Sequence, residues 1–168
     1  LIVEDSQDDM VLLVRELRHN DYDVTFQRVE TAEAMNAALD KEIWDIVISD
    51  YVLPQFNGLA ALRILKERSL DLPFIIVSGK IGEETAVVVM KTGAHDYIMK
   101  ENLARLAPVI KRELKEADVR RERNRAEKAL KESEERYRTL FEKTLNPILI
   151  MDAEKNYIDC NESALRFF

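Results

Sequence analysis

Five side chains suited to phosphoryl chemistry lie at the ends of predicted strands. They are three carboxylates, a hydroxyl and an amine, contributed by Glu4, Asp5, Asp50, Ser78 and Lys100. A carboxylate can act as a nucleophile, and convergent carboxylates together with waters suit Mg2+. A hydroxyl and a compact ammonium group suit contacts to phosphoryl oxygens. The set favours phosphoryl transfer to an aspartate, because that reaction mainly requires alignment and charge neutralisation.

Each of these residues also has a simpler structural interpretation when it is taken alone. An acidic pair before a helix commonly matches the helix dipole, and an aspartate before a turn is commonly a turn residue. A lysine after a strand is commonly exposed to solvent. What favours a shared site is that all five residues follow predicted strands, at the sheet edge where open α/β folds bind ligands.

Short apolar segments predict the strands that position these residues. The β-branched run 46–48 ends at Asp50 and is typical of a strand buried on both faces. Pro54 and Gly58 end the strand, because proline lacks the amide that a ladder needs and glycine permits unusual backbone angles. Further strands are predicted at 1–3, 24–26, 73–77 and 96–99, with helical segments between them. Five alternations favour an α/β fold, with a five-stranded parallel sheet covered by helices on both faces.

From Asn102 onward the pattern becomes one extended helix without glycine. Asn102 is placed to cap this helix, and Pro108 either bends it or marks its start. A 4-3 spacing links positions 110, 114 and 117 and, in another phase, 126, 130, 133, 137 and 140. It favours a two-stranded coiled coil, with a single solvated helix as the alternative. Strands at 147–152 and 157–160 and a cap at Asn161 follow, and such a hairpin requires a larger domain around it.

Composition narrows the class of protein. The 168 residues are 46% hydrophobic and 34% charged, and no apolar run reaches the about 20 residues of a membrane span. The net charge is −7, and the acidic excess lies in residues 1–107, which argues against nonspecific nucleic-acid binding there. The single cysteine, Cys160, excludes an internal disulfide framework and favours a cytoplasmic location. Both ends of the sequence look cut, so we expect a piece of a longer protein.

Residues 1 to about 107 closely resemble the receiver domain of bacterial two-component response regulators. The matching motifs are Leu1-Ile2-Val3-Glu4-Asp5-Ser6, Asp50 with Pro54 and Gly58, Val77-Ser78-Gly79, and Gly93-Ala94-His95-Asp96-Tyr97-Ile98-Met99-Lys100. The resemblance implies a flavodoxin-like fold.

The resemblance also implies roles for individual residues. Asp50 would accept a phosphoryl group from a histidine kinase or a small phosphodonor. Asp5, Asp50 and the backbone carbonyl of Val52 would bind Mg2+, with Glu4 acting through water. Ser78 and Lys100 would contact the phosphoryl group, and Ser78 and Tyr97 would form a switch pair.

The sequence departs from the family where Glu101 takes the place of the proline that usually follows the lysine. The family tunes its own dephosphorylation two positions beyond the aspartate and two beyond the hydroxyl residue. Here these positions hold Val52 and Lys80, and neither suits the positioning of an attacking water. We therefore expect a long-lived phosphoryl state.

Residues from about Glu134 onward resemble the start of a PAS sensor domain. The matching segments are Arg136-Tyr137-Arg138-Thr139-Leu140-Phe141-Glu142, Asn146-Pro147-Ile148 and Asp159-Cys160-Asn161. With this second resemblance the chain divides into a receiver domain at 1–107, a helical coiled-coil linker at 108–138, and the N-terminal part of an α+β PAS domain at 139–168.

The predicted function is phosphorelay signalling, in which Asp50 is phosphorylated with Mg2+ and a dimeric helical linker carries the change to the PAS domain and an output. The expected partners are a histidine kinase or phosphotransfer protein and a second copy of the chain, with no nucleic acid and no membrane. This segment is not expected to be a turnover enzyme. The alternatives are the receiver module of a hybrid sensor histidine kinase and a pseudo-receiver that only binds proteins. An aspartate-dependent phosphatase is disfavoured, because Val52 replaces the second aspartate of those enzymes.

Overall fold

A computed structural model describes residues 1–54, 56–79 and 83–167 of the chain, and for Glu83 and Glu84 the backbone only. The chain forms two compact units, Leu1–Val119 and Arg120–Phe168. Within the described residues, no helix has both the length and the apolar character needed to cross a bilayer.

The first unit is an alternating α/β domain. Its elements are β1 (Ile2–Val3), α1 (Gln7–His19), β2 (Arg28–Val29), α2 (Ala32–Lys41), β3 (Val47–Asp50), α3 (Gly58–Glu67), β4 (Phe74–Ser78), α4 (Glu83–Thr92) and β5 (Asp96–Met99). The strands form one sheet in the order β2-β1-β3-β4-β5, and every pairing is parallel. The predicted five-stranded parallel sheet is therefore confirmed.

Helices cover both faces of this sheet because successive strand residues point in opposite directions. On one face Val47, Phe74 and Ile76 pack with α2 and α3, and Val89 of α4 joins them. On the other face Ile48 and Ile75 pack with α1 and with residues 106–110, which begin the long helix after β5. These strand residues are fully or almost fully buried, as the β-branched runs predict.

The second strand lies later in the sequence than predicted. The ladder pairs Ile2 with Arg28 and Val3 with Val29, and the Ile2 amide donates to the carbonyl of Gln27 at 2.9 Å. The predicted strand at 24–26 is wrong because its apolar side chains, Val24 and Phe26, pack against the core from a loop without joining the ladder.

The chain after β5 enters a short 3₁₀ helix, Lys100–Arg105, and then the long helix α5, Leu106–Lys143. Asn102 has φ −129° and ψ 50°, so it interrupts the helical turn and does not cap α5. Pro108 is the third residue of α5, where a missing amide costs no intrahelical hydrogen bond. Pro108 therefore marks the start of the helix, and the alternative that it bends the helix is not needed.

The second unit contains the later part of α5, an antiparallel hairpin of β6 (Leu149–Met151) and β7 (Tyr157–Cys160), and α6 (Glu162–Phe167). Asn161 is fully buried and caps α6, as predicted, through its Oδ1, which accepts from the Ala164 amide at 2.9 Å. Its Nδ2 donates to the carbonyls of Phe141 and Asn146, each at 3.0 Å. Asn161 thereby holds the end of α5 and the hairpin together.

Candidate functional site

Parallel pairing brings the predicted site residues to one edge of the sheet. Val3 pairs with Ser49 and Asp50 pairs with Val77, so the carboxyl ends of β1, β3 and β4 are each offset from the neighbouring strand end by one residue. Ser78 pairs in turn with Met99 at the end of β5. The residues that follow these strand ends, which include Glu4 and Lys100, therefore meet where the sequence predicts.

Three carboxylates converge at this edge. Glu4, Asp5 and Asp50 each offer an oxygen, and the three oxygens lie within 4.8 Å of one another. Glu4 is buried with 1% of its surface exposed, Asp50 is 9% exposed, and Asp5 is exposed to solvent. Three oxygen donors with one side open to water fit a hard divalent ion such as Mg2+, which keeps several waters when bound.

Lys100 is the charge partner of this cluster. Its Nζ donates to Asp50 Oδ2 at 2.7 Å, to Glu4 Oε2 at 3.0 Å and to Asp9 Oδ2 at 2.5 Å. The side chain of Lys100 is 21% exposed, so these contacts are only partly screened by solvent. All three donors of the ammonium group are used.

Burial and hydrogen bonding shift the pKa values of Glu4 and Lys100 in opposite directions. Burial raises the pKa of Glu4 above its usual value, although hydrogen bonds from Lys100 and from the Ser6 amide oppose the rise. For Lys100 burial would lower the pKa, but the hydrogen bonds to Asp50, Asp9 and Glu4 prevail and raise it above its usual value. The ammonium group is therefore firmly protonated.

The turn after β3 fixes the orientation of Asp50. The amide of Val52 donates to Asp50 Oδ1 at 3.3 Å, which leaves Oδ2 for Lys100. The side chain of Val52 is 63% exposed and makes no polar contact. Lys80, the other position expected to govern dephosphorylation, lies outside the described residues.

Gly58 is needed for a reason other than unusual backbone angles. A Cβ at this position would lie 2.9 Å from the backbone oxygen of Asp50 and 3.2 Å from Cδ1 of Ile76. The first turn of α3 therefore packs directly on the backbone of the aspartate. Asn57 caps that turn by accepting from the Ala60 amide at 2.8 Å.

The remaining predicted residues lie beside this cluster. Ser78 is buried at the end of β4, next to the end of β3. Tyr97 is half-buried on β5, where its ring packs against the core and its hydroxyl contacts the sulfur of Met99. Burial raises the pKa of the Tyr97 phenol above its usual value. Glu101, which replaces the expected proline, lies in the 3₁₀ helix.

Asp9 is the residue of the site that sequence reasoning missed. It lies in the first turn of α1, where an acidic residue is explained by the helix dipole alone. The contact with Lys100 depends on how α1 lies over the sheet edge, which the spacing of residues does not indicate. Helical spacing gives no signal either, because Glu4 and Asp5 precede the cap residue Ser6 and do not belong to α1.

The first unit is an open parallel α/β domain with an acidic cluster and a lysine at its strand ends, and comparison with known proteins gives the family. Residues 1–111 match the family model described as the response regulator receiver domain, so the chain belongs to that family. Residues 135–168 match the PAS domain model. A receiver domain followed by the first part of a PAS domain is therefore confirmed, and the unbroken α5 between them is consistent with the predicted linker.

Individual relatives agree with the family. Response regulator ArlR of Staphylococcus aureus is 33% identical over 118 residues, which cover 67% of this chain and 52% of that protein. The chain thus spans about half the length of the curated relatives it matches. The crystal structure of NtrX from Brucella abortus is 29% identical with a TM-score of 0.66, covering 74% of this chain and 28% of that one. The signal receiver domain of a signal transduction histidine kinase from Syntrophus aciditrophicus is 29% identical with a TM-score of 0.58, and the match covers 68% of this chain and 87% of that one.

Proposed function

We propose that this protein is a phosphorelay component in which Asp50 accepts a phosphoryl group. The observation that carries the proposal is the 2.7 Å contact between Lys100 Nζ and Asp50 Oδ2, at the centre of three converging carboxylates. The donor is a histidine kinase, a phosphotransfer protein or a small phosphodonor.

The chemistry is one displacement at phosphorus. A carboxylate oxygen of Asp50 attacks, the bond between phosphorus and the donor breaks, and the leaving group departs with the electron pair. The product is an acyl phosphate on Asp50. Lys100 contributes a fixed positive charge against the phosphoryl oxygens, and Ser78 contributes a hydroxyl from the neighbouring strand end.

The acidic cluster fits Mg2+, which when bound supplies the charge that neutralises the carboxylates and the incoming phosphoryl oxygens. Asp5 and Asp50 are the proposed direct ligands together with the backbone carbonyl of Val52, and Glu4 acts through water. The burial of Glu4 supports this indirect role, since its Oε1 already accepts from the Ser6 amide at 3.0 Å.

Ser78 and Tyr97 are the proposed switch pair. Ser78 moves toward the phosphoryl group and Tyr97 turns inward behind it, so that the surface of β5 changes. The contact of Arg112 on α5 with Asp96 on β5 supports a route from this strand to the helix. Arg112 also donates to Glu113 Oε1, at 2.9 Å from Nε, and Glu113 is buried.

The linker at 108–138 is proposed to form a two-stranded coiled coil with a second copy of the chain. Several side chains at the 4-3 positions support it, because they are large, apolar and exposed in the single chain: Leu130 at 61% and Tyr137 at 52% within the linker, and Leu140 at 68% just after it. Pairing with a second helix would bury them. The change in pitch or register would then pass to the PAS domain at 139–168.

We further propose a cytoplasmic protein in which the receiver domain comprises residues 1–107 and the phosphoryl state is long-lived. A second candidate function is the receiver module of a hybrid sensor histidine kinase. It is favoured by the similarity to a receiver domain that belongs to a histidine kinase. The pseudo-receiver alternative is disfavoured, because Lys100 and all three carboxylates are in place.

The test is phosphorylation by acetyl phosphate, followed by intact-protein mass spectrometry. We expect a phosphorylated species in the presence of Mg2+, its loss when the metal is chelated, and its loss in Asp50→Ala. Asp45→Ala is the matched control, since Asp45 is an exposed aspartate just before the same strand. A phosphorylated species that survives in Asp50→Ala would contradict the proposed phosphoacceptor.

A further inference from the structure

The three acceptors of Lys100 are not equivalent. Glu4 and Asp50 belong to the acidic cluster that fits a divalent ion, whereas Asp9 contributes no oxygen to that cluster. Yet Asp9 Oδ2 lies 2.5 Å from Lys100 Nζ, closer than the oxygens of Asp50 at 2.7 Å and Glu4 at 3.0 Å.

A cation in the cluster competes with Lys100 for the carboxylates of Glu4 and Asp50. The ammonium group and the metal ion both carry positive charge and repel each other. A carboxylate that turns toward the ion is no longer available as an acceptor for Lys100. Asp9 is then the acceptor that Lys100 keeps. Without it, the lysine must either remain on the cluster and oppose the metal, or leave the site.

Hydrogen bonds at the start of α1 hold Asp9 in a position to keep its contact with Lys100. Its amide donates to Ser6 Oγ at 3.2 Å in the cap of α1, and the Ser6 amide donates to Glu4 Oε1 at 3.0 Å. Ser6 therefore fixes Asp9 and Glu4 relative to each other. The Asp9 side chain is 34% exposed, so its contact with Lys100 is shielded on one side by protein.

We propose that Asp9 is a positioning residue, which retains Lys100 beside Asp50 while a divalent cation occupies the acidic cluster. Lys100 is then in place to contact the phosphoryl group as it arrives. The inference rests on the proposed phosphoacceptor function of Asp50, and it adds a residue that acts only through Lys100.

The experiment compares Asp9→Ala, Asp9→Asn and the matched control Asp8→Ala, which removes an exposed acid from the same helical turn. Two quantities are measured: the rate of phosphorylation by acetyl phosphate at saturating Mg2+, and the Mg2+ dissociation constant by calorimetry. Loss of one charge-assisted hydrogen bond predicts a rate about tenfold lower in Asp9→Ala and Mg2+ binding weakened severalfold. Asp9→Asn keeps an acceptor and should recover most of both, and Asp8→Ala should match the wild type.

The same Asp9 substitutions are then made in a Lys100→Met background. If Asp9 acts through Lys100, Asp9→Ala has no further effect there on Mg2+ binding or on any residual phosphorylation. A loss that persists in Lys100→Met, or an Asp9→Asn variant as impaired as Asp9→Ala, would show that Asp9 acts as a general charge and would overturn the proposal. So would an Asp9→Ala variant equal to the wild type. If the wild type itself is not phosphorylated, the proposed function fails, and the Mg2+ measurements still decide the role of Asp9.

Discussion

The ammonium nitrogen of Lys100 lies 2.7 Å from Oδ2 of Asp50, and the same nitrogen donates to the buried Glu4 at 3.0 Å. Lys100 therefore offsets the repulsion between two carboxylates that burial and sheet pairing force together. The contact is expected to stabilise the domain, and in the proposed function it also serves the chemistry of the site.

Lys100→Met should destabilise the protein in the absence of divalent cations. Glu4 and Asp50 lose the donor that compensates their burial, and we expect the free energy of unfolding to fall by about 1–3 kcal/mol. Saturating Mg2+ should reduce the difference, because an ion that binds only the native state stabilises it. Urea unfolding with and without Mg2+ measures both effects. Lys41→Met, an exposed lysine at the end of α2, is the control, and an equal effect of the two substitutions would contradict the prediction.

Gly58→Ala should disturb the aspartate loop. The added Cβ would lie 2.9 Å from the backbone oxygen of Asp50, so the backbone must shift, and we expect a loss of about 1–3 kcal/mol together with slower phosphorylation. Gly79→Ala is the control for stability, because its Cβ would meet only Cδ of Lys100 at 3.9 Å, an ordinary contact. Thermal unfolding and the acetyl phosphate assay compare the two variants. Equal behaviour would show that the close approach at Gly58 is readily relieved.

Asp152 in the hairpin turn should titrate below its ordinary value of 3.8, because the side chain and the backbone amide of Asn156 donate to it. The amide contact is 2.8 Å and the side-chain contact 3.0 Å. A carboxyl whose folded pKa is lowered contributes stability above its unfolded pKa, and this contribution is lost as the pH falls through the folded pKa. Carboxyl NMR titration should show the pKa of Asp152 rising toward 3.8 in Asn156→Ala. An unchanged pKa in that variant would mean that the backbone amides of Asn156 and Glu154 lower it without the Asn156 side chain.

The linker should dimerise through its 4-3 positions. Leu130→Glu combined with Tyr137→Glu places charges on the predicted seam within the linker, so we expect the molecular mass in sedimentation equilibrium to fall from that of a dimer to that of a monomer. Lys128→Ala lies outside the 4-3 positions and should leave the dimer intact. A monomeric wild-type chain would instead support the single solvated helix.

The sequence predicts best those parts of the fold that are determined by burial of apolar side chains. Buried β-branched runs end in polar residues, so β3 and β4 and the groups at their ends, Asp50 and Ser78, could be placed from pattern alone. β2 could not, because a two-residue strand at a sheet edge is set by its register with Ile2 and carries little apolar periodicity of its own.

Within the site, the residues at strand ends were predictable and the residue on a helix was not. Asp9 has the same local signature as any acid in a first helical turn, and only the packing of α1 against the sheet edge gives it Lys100 as a partner. The sequence pattern suggests that Gly58 is needed for its backbone angles. The structure shows instead that a side chain there would collide with the backbone oxygen of Asp50, a contact that the local sequence does not indicate.

The contacts of Lys100 also have a consequence for folding. They join residues separated by 50, 91 and 96 positions in the chain, so each closes a long loop and none can form from local structure. Non-local contacts of this kind form only after loop-closure entropy has been overcome, which places them late in folding. Until β5 joins the sheet, Lys100 at its end is not held beside Asp50. Under the proposed function, competence to accept a phosphoryl group should therefore report that all five strands of the domain have been assembled.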